Sequence, residues 1–239
     1  MRNPYQQASA QVVPFPAREP EGSLTGLFSE ATTESFAAGQ SLFWEGDAAA
    51  GIFLIGQGML RLYRSLSDGR RVITGFATKG DIIGLAFRSR YLCTAEALAD
   101  VRVRRISRRR LGEAIDAQPG LRPQLLDAIS DELSRAQDQI LLLGRQTAEE
   151  RVASFLLTMA EQAGPGQVLI NLPMTRLDMA DYLGLTIETV CRVLSRMQRD
   201  GLIAFRGRYD LSICRPRALC EMAGRQDWLE APAARARVN

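Results

Sequence analysis

The sequence predicts an α+β protein: a strand-rich N-terminal half, one long helix, then a small helical unit at the C-terminal end. Three observations carry this reading. Between Phe36 and Leu111, short apolar runs such as Gly51–Ile55, Met59–Tyr63, Arg71–Phe76 and Val101–Ile106 are punctuated by glycine. From Gln124 to Leu143 there is neither glycine nor proline, and apolar residues recur at helical spacing. Between Thr175 and Gly201, two short helical patterns, each headed by a threonine, are separated by Gly184-Leu185.

The chain has 239 residues, 46% hydrophobic and 24% charged, enough for one large or two modest folded units. No window approaches the roughly 18 apolar residues of a membrane span. Residues 1–22 carry four prolines and no apolar core run, so they read as a loose arm rather than a secretory signal, and the expected location is cytoplasmic. There is no histidine, which removes imidazole as base, ligand or pH switch and leaves catalysis without a convincing arrangement. Cys93, Cys191, Cys214 and Cys220 show no metal-type or disulfide-type spacing.

Residues 23–120 are expected to form a closed or rolled antiparallel barrel. Leu60 and Leu62, and Val101 and Val103, alternate with polar residues, and Asp68-Gly69 marks a hairpin. A ligand-sensing barrel and a structural one look alike at this level. The basic run Arg102, Arg104, Arg105, Arg108, Arg109 and Arg110 reads as the solvated face of a strand.

Residues 121–145 form the long helix, with Pro123 tolerated in its first turn. Leu125, Ile129, Leu133, Ala136, Ile140 and Leu143 recur at steps of four, four, three, four and three. A seam this narrow suits a partner helix, hence a two-fold dimer; packing on the protein's own barrel is the plainer alternative. Thr147 and Glu150 form a capping box for a further helix to about Ala160, and Val168–Leu172 is extended.

Residues 146–215 contain the reading head. Thr175 and Asp178 cap a first helix, Ala180 allows a close crossing, and Gly184 turns the chain. Thr186 caps a second helix whose buried stripe is Val190, Val193, Leu194 and Met197. This is helix-turn-helix geometry, and the second helix fits a DNA major groove. Glu188 suits cytosine N4 and Arg192 suits guanine O6 and N7, pairs worth about 1–3 kcal/mol of discrimination each. The two lie i,i+4 and are expected to hold each other in the absence of DNA. A surface salt bridge on an ordinary helix pair is the bland alternative. Thr186, Thr189, Arg196 and Arg199 are expected at the phosphate backbone. Ile203–Phe205 and Tyr209–Ile213 make a hairpin whose tip, Arg206-Gly207-Arg208, suits a backbone-clamping wing. The tail, residues 216–239, contains a short helix, with Trp228 packing back.

The run Leu183-Gly-Leu-Thr-Ile-Glu-Thr-Val-Cys-Arg-Val-Leu-Ser-Arg, followed by Gly201-Leu-Ile, resembles the cyclic-AMP receptor protein/FNR family, and most closely its FixK-like branch. The resemblance covers about Leu24 to Ile213. It implies an N-terminal antiparallel β-roll (cupin-like), a dimerisation helix and a winged helix-turn-helix. It also implies that Glu188 and Arg192 read a TTGA-type half-site in an inverted repeat, with Cys191 where FNR-like members carry serine. Ile187 stands where the cyclic-AMP regulators carry a further base-contacting arginine. The family's nucleotide-binding Gly-Glu and Arg-Ser pairs are replaced by Gly84-Leu85 and by Tyr91-Leu92-Cys93-Thr94, and no cysteine precedes Cys93. Neither a cyclic nucleotide nor an iron–sulfur cluster is therefore expected, nor any other cofactor.

The resemblance further implies activation of low-oxygen metabolic genes by a homodimer on double-stranded DNA, with RNA polymerase as protein partner and no membrane contact. Cys191 is a redox candidate, since oxidation to sulfinate or sulfonate would set an anion beside phosphate. A small contact for a thymine methyl is its bland reading. A regulator gated by a small effector, and a non-DNA interaction module, remain the competing functional classes.

Overall fold

The computed structural model describes residues 22–85, 89–164 and 167–225. The arm expected over residues 1–22, apart from Gly22, and the packing of Trp228 lie outside them.

A short 3-10 turn, Thr25–Phe28, leads into eight strands: β1 (Thr33–Phe36), β2 (Ser41–Phe43), β3 (Gly51–Gln57), β4 (Met59–Ser65), β5 (Arg71–Thr78), β6 (Ile82–Ile83), β7 (Thr94–Ala97) and β8 (Val101–Ser107). Six helices and three strands follow: α1 (Arg108–Ala117), α2 (Leu121–Arg145), α3 (Ala148–Ala163), β9 (Leu169–Asn171), α4 (Arg176–Leu183), α5 (Ile187–Arg199), β10 (Ile203–Phe205), β11 (Asp210–Ile213) and α6 (Pro216–Ala223).

The fold is α+β, but the strand half is not the closed or rolled barrel the sequence suggested. Its eight strands form two separate antiparallel sheets, ordered β1-β8-β3-β6 and β2-β7-β4-β5. The two sheets face one another across Phe43, Phe53, Ile55, Leu60, Ala95, Val101 and Val103, which form one buried cluster. Glycine-punctuated strands specify local pairing, whereas closure depends on which edges meet, and that is not a local property. Gly58 shows the local kind of constraint. It turns β3 into β4 at φ 87°, and a Cβ there would stand 2.5 Å from the Asp100 carbonyl oxygen.

Strand β3 is buried along both faces, which explains its continuous apolar run. Phe53 and Ile55 enter the space between the sheets. Ile52 and Leu54 point the other way, onto Leu24, Phe28, Ile106 and Leu111. The basic run divides at Ser107. Arg102, Arg104 and Arg105 lie on β8, whereas Arg108, Arg109 and Arg110 open helix α1, a helix absent from the sequence reading. The Ser107 hydroxyl caps α1 by accepting from the Arg110 amide at 3.1 Å.

A third cluster belongs mainly to α3 through α6 and their small sheet, ordered β10-β11-β9. Tyr63, Ile73 and Phe76, from β4 and β5, are buried in that same cluster. Phe76 meets Phe155 at 5.9 Å and Tyr182 at 5.3 Å, edge-on in both cases. The C-terminal unit thus rests on the outer face of the second sheet. Helix α2 is exposed for most of its length; Leu125 alone of the six seam residues is half-buried, packed toward the Leu24–Leu111 cluster.

Candidate nucleic-acid interface

Helix α4 begins at a complete capping box. The Asp178 amide donates to the Thr175 hydroxyl at 3.1 Å, and the Thr175 amide donates to Asp178 Oδ2 at 2.8 Å. The helix ends at Gly184, in the left-handed region at φ 61°, ψ 39°, with the Leu185 amide donating to the Ala180 carbonyl at 3.0 Å. Ala180 is buried, as a close helix crossing requires.

Helix α5 is capped by the Thr186 hydroxyl, which accepts from the Thr189 amide at 3.3 Å. Val190, Val193, Leu194 and Met197 are all buried. Glu188, Cys191, Arg192, Ser195 and Arg199 are exposed, and their three- and four-residue spacing sets them on the opposite face. One side of α5 is therefore committed to the core, and the other presents an acid, a thiol, a hydroxyl and two guanidinium groups to solvent.

The expected Glu188–Arg192 pair does not form among the described ion pairs. The Glu188 carboxyl instead lies below the usual carboxylate range, held by its own backbone N–H and by the Thr186 hydroxyl. A carboxylate in the first turn finds free helical N–H groups closer than a side chain one turn on. Among the described residues, Arg192 Nη2 reaches the Thr189 hydroxyl alone, at 3.4 Å. Both groups are thus left facing solvent separately.

Thr186 is exposed and Thr189 half-buried. Arg196 is exposed and lies 3.5 Å from Glu149 and 3.8 Å from Asp200, contacts weak enough to exchange for another anion. Arg206 and Arg208 flank Gly207 at the exposed tip of the β10–β11 hairpin; Arg208 lies over the Tyr209 ring at 5.0 Å.

Two arginines that support this surface went unread in the sequence. Arg176 stands in the first turn of α4, against the helix dipole, and that misfit was the available signal. It is stacked over Phe205 of β10 at 4.7 Å, and burial holds its pKa below the usual guanidinium range. Arg151 gathers four carbonyls, donating to Gln146 at 2.9 Å, Leu143 at 2.9 Å, Leu183 at 3.0 Å and Gly184 at 3.5 Å. It so ties the end of α2 to the end of α4. No sequence pattern announces a contact of that kind.

The thiols divide by environment. Cys191 and Cys214 are exposed, whereas Cys93 and Cys220 are buried. Burial pushes the Cys93 thiol up to about 12, as suits a small core side chain. In the strand half, Tyr91 and Cys93 are taken up by packing. The Tyr91 ring stacks on Phe43 at 3.8 Å, and its hydroxyl donates to the Gly51 carbonyl at 3.0 Å. Arg108 donates to the carbonyls of Ala49, at 2.7 Å, and Gly84.

Known proteins match both halves. Residues 150–222 match the family model described as a Crp-like helix-turn-helix domain, and residues 33–118 the one described as a cyclic nucleotide-binding domain. The chain is 40% identical over 173 residues to the nitrogen fixation regulation protein FixK of Bradyrhizobium diazoefficiens, covering 71% of this chain and 73% of that protein. It is 42% identical over 168 residues to the transcriptional activatory protein AadR of Rhodopseudomonas palustris, covering 69% and 70%. Among solved structures, FixK2 from Bradyrhizobium japonicum superposes with a TM-score of 0.76 at 36% identity, covering 80% of this chain and 96% of that one. The chain belongs to the cyclic-AMP receptor protein/FNR family of transcription regulators, in its FixK-like branch.

Proposed function

We propose that this regulator is a transcription activator that binds TTGA-type inverted repeats as a homodimer, reading bases with Glu188, Cys191 and Arg192. The observation that carries the reading is the two-sided α5, whose exposed face begins at a capped N-terminus and, among the described residues, carries no ion pair at Glu188 or Arg192. Activation is drawn from the relatives named as activators and nitrogen-fixation regulators, and control of low-oxygen genes from the FixK-like resemblance. RNA polymerase is the protein partner such an activator requires.

The proposed division of labour follows the chain: residues 23–120 regulate, 121–145 dimerise, 146–215 bind DNA and 216–239 form a tail. Leu133, Ala136, Ile140 and Leu143 support dimerisation because they are exposed on one helix with Ile129 beside them, a stripe that one copy leaves open to water. Thr186, Thr189, Arg196, Arg199, Arg206 and Arg208 are assigned to phosphates. The Tyr91–Phe43 stack and the engaged Arg108 support regulation without a cyclic nucleotide.

The test is protection of genomic fragments by the wild type, Glu188→Ala and Arg192→Ala. The variants should lose base preference at defined half-site positions while keeping salt-sensitive background binding; an unchanged preference would defeat the assignment. Exposure of Cys191 supports redox modulation at that position. Peroxide should weaken operator binding by the wild type and spare Cys191→Ala; equal loss in both proteins removes Cys191 as the sensor.

A further inference from the structure

The first helix of the reading head carries two acids, Asp178 and Asp181, one turn apart and next to a surface meant for phosphates. Asp178 is buried, and its two oxygens serve different ends of the molecule. Oδ2 accepts from the Thr175 amide and hydroxyl, at 2.8 and 2.7 Å, and so caps α4. Oδ1 lies 2.5 Å from Nη1 of Arg61, a residue of β4 that is 117 positions away in sequence. The other terminal nitrogen of Arg61 lies 2.6 Å from Glu96 Oε1 on the adjacent strand β7. The side chains of Arg61 and Glu96 are each 14% exposed and that of Asp178 is 2% exposed, so this is an ion triad taken largely out of water.

The arrangement is directional. Nε of Arg61 is buried and meets no acceptor among the described residues, so the guanidinium gives up one bond to span the two carboxylates. Its central carbon lies 5.7 Å from the Tyr63 ring centre, within cation–π range. Burial pushes the Tyr63 phenol up, and the Glu96 carboxylate beside it adds to the rise. Burial likewise raises the Asp181 carboxyl, against the pull of Arg71. Arg61 of the sheet thus joins an acid of its own sheet to an acid of α4, and the Arg61–Asp178 pair crosses between the two units. A buried carboxylate whose partner sits on another unit holds the angle between them, because any other angle strands a charge.

We propose that Arg61 is a positioning residue for DNA recognition: through Asp178 it sets the angle at which each copy presents α5 to its half-site. The inference rests on the homodimer and inverted-repeat reading above. Two heads held at fixed angles engage two half-sites with a high effective concentration at one spacing and lose it at others. Heads freed from the sheet should bind a single half-site as before, but should no longer prefer one spacing sharply.

The experiment compares wild type, Arg61→Met and Asp178→Asn on three synthetic DNAs: the operator found by protection, the same operator with its spacer lengthened by half a helical turn, and a single half-site. Asn keeps an acceptor for the α4 cap, and Met keeps most of the Arg61 volume. Affinity is expressed per active molecule by stoichiometric titration, and melting temperature is recorded for each protein. The wild type should prefer the operator over the lengthened form by about 100-fold. Both variants should lose about tenfold on the operator, lose less than about twofold on the half-site, and show a flattened spacing preference.

A spacing preference as sharp as the wild type's, in whichever variant folds, overturns the positioning role, as does an equal loss on operator and half-site. Should both single variants fail to fold, the neutral triple variant Arg61→Met, Glu96→Gln, Asp178→Asn removes every charge of the triad and is held to the same outcomes. Wild-type protein that binds one half-site as tightly as two overturns the inverted-repeat reading itself, and this inference with it.

Discussion

Helices α4 and α5 start alike and end up opposite. Each begins at a threonine whose hydroxyl accepts from the amide three residues on, and each has an acid in its first turn. In α4 that acid, Asp178, is buried and turned inward to Arg61. In α5 it is Glu188, fully open to solvent, holding only its own helix end. Asp178 ties α4 to the rest of the protein, whereas Glu188 and Arg192 of α5 stay open to solvent. The same capping chemistry therefore supports an anchor in one helix and a reading surface in the next.

The comparison breaks most visibly at its buried end. Asp178→Ala removes both cap and ion pair and leaves Arg61 with one carboxylate; about 3–5 kcal/mol of stability should be lost, read from urea unfolding. Glu188→Ala, its counterpart, should leave the urea midpoint nearly unchanged, and a comparable loss there would erase the contrast. Next comes Arg192→Ala, which should cost about 1–3 kcal/mol of affinity per half-site and relax preference at one base pair in each, with no change in unfolding. Thr186→Ala should cost about 1 kcal/mol of stability through the lost cap, visible as a small shift in urea midpoint. The smallest effect is Arg206→Ala: the slope of log affinity against log salt should fall by about 0.9 for each copy, about 1.8 for the dimer, without any change in which sequence is preferred.

What could be read ahead of the structure was local chemistry. The boxes at Thr147–Glu150 and Thr175–Asp178, the left-handed Gly184 and the Asp68-Gly69 hairpin each depend on residues within a few positions of one another. Helix α1 was missed because Arg108, Arg109 and Arg110 extend the polar pattern of β8 and hide the cap at Ser107. Strands β1, β2, β6 and β7 have two to four residues each, too few to show alternation. The two open sheets replaced the expected barrel because edge pairing joins residues far apart, such as Phe36 with Val101. At the reading head, the opposition of buried and exposed faces on α5 followed from spacing alone. The separation of Glu188 from Arg192 did not, since it depends on which of two nearby donors a carboxylate meets first. Arg61 and Arg151 were invisible for a simpler reason: their partners lie on other elements of the chain.

One small contact joins the proposed dimer seam to the helix-turn-helix. Gly184, the turn between α4 and α5, has so little room that a Cβ there would stand 3.0 Å from Cδ2 of Leu143, the last residue of the α2 seam. In a genetic screen the two positions should therefore not behave as separate loci. A bulkier residue at Gly184 would press on the seam as well as strain the turn, and a smaller one at Leu143 would give part of that space back. Defects selected for loss of DNA binding and defects selected for loss of pairing should converge on this one point, and second-site revertants of either should be found in the other.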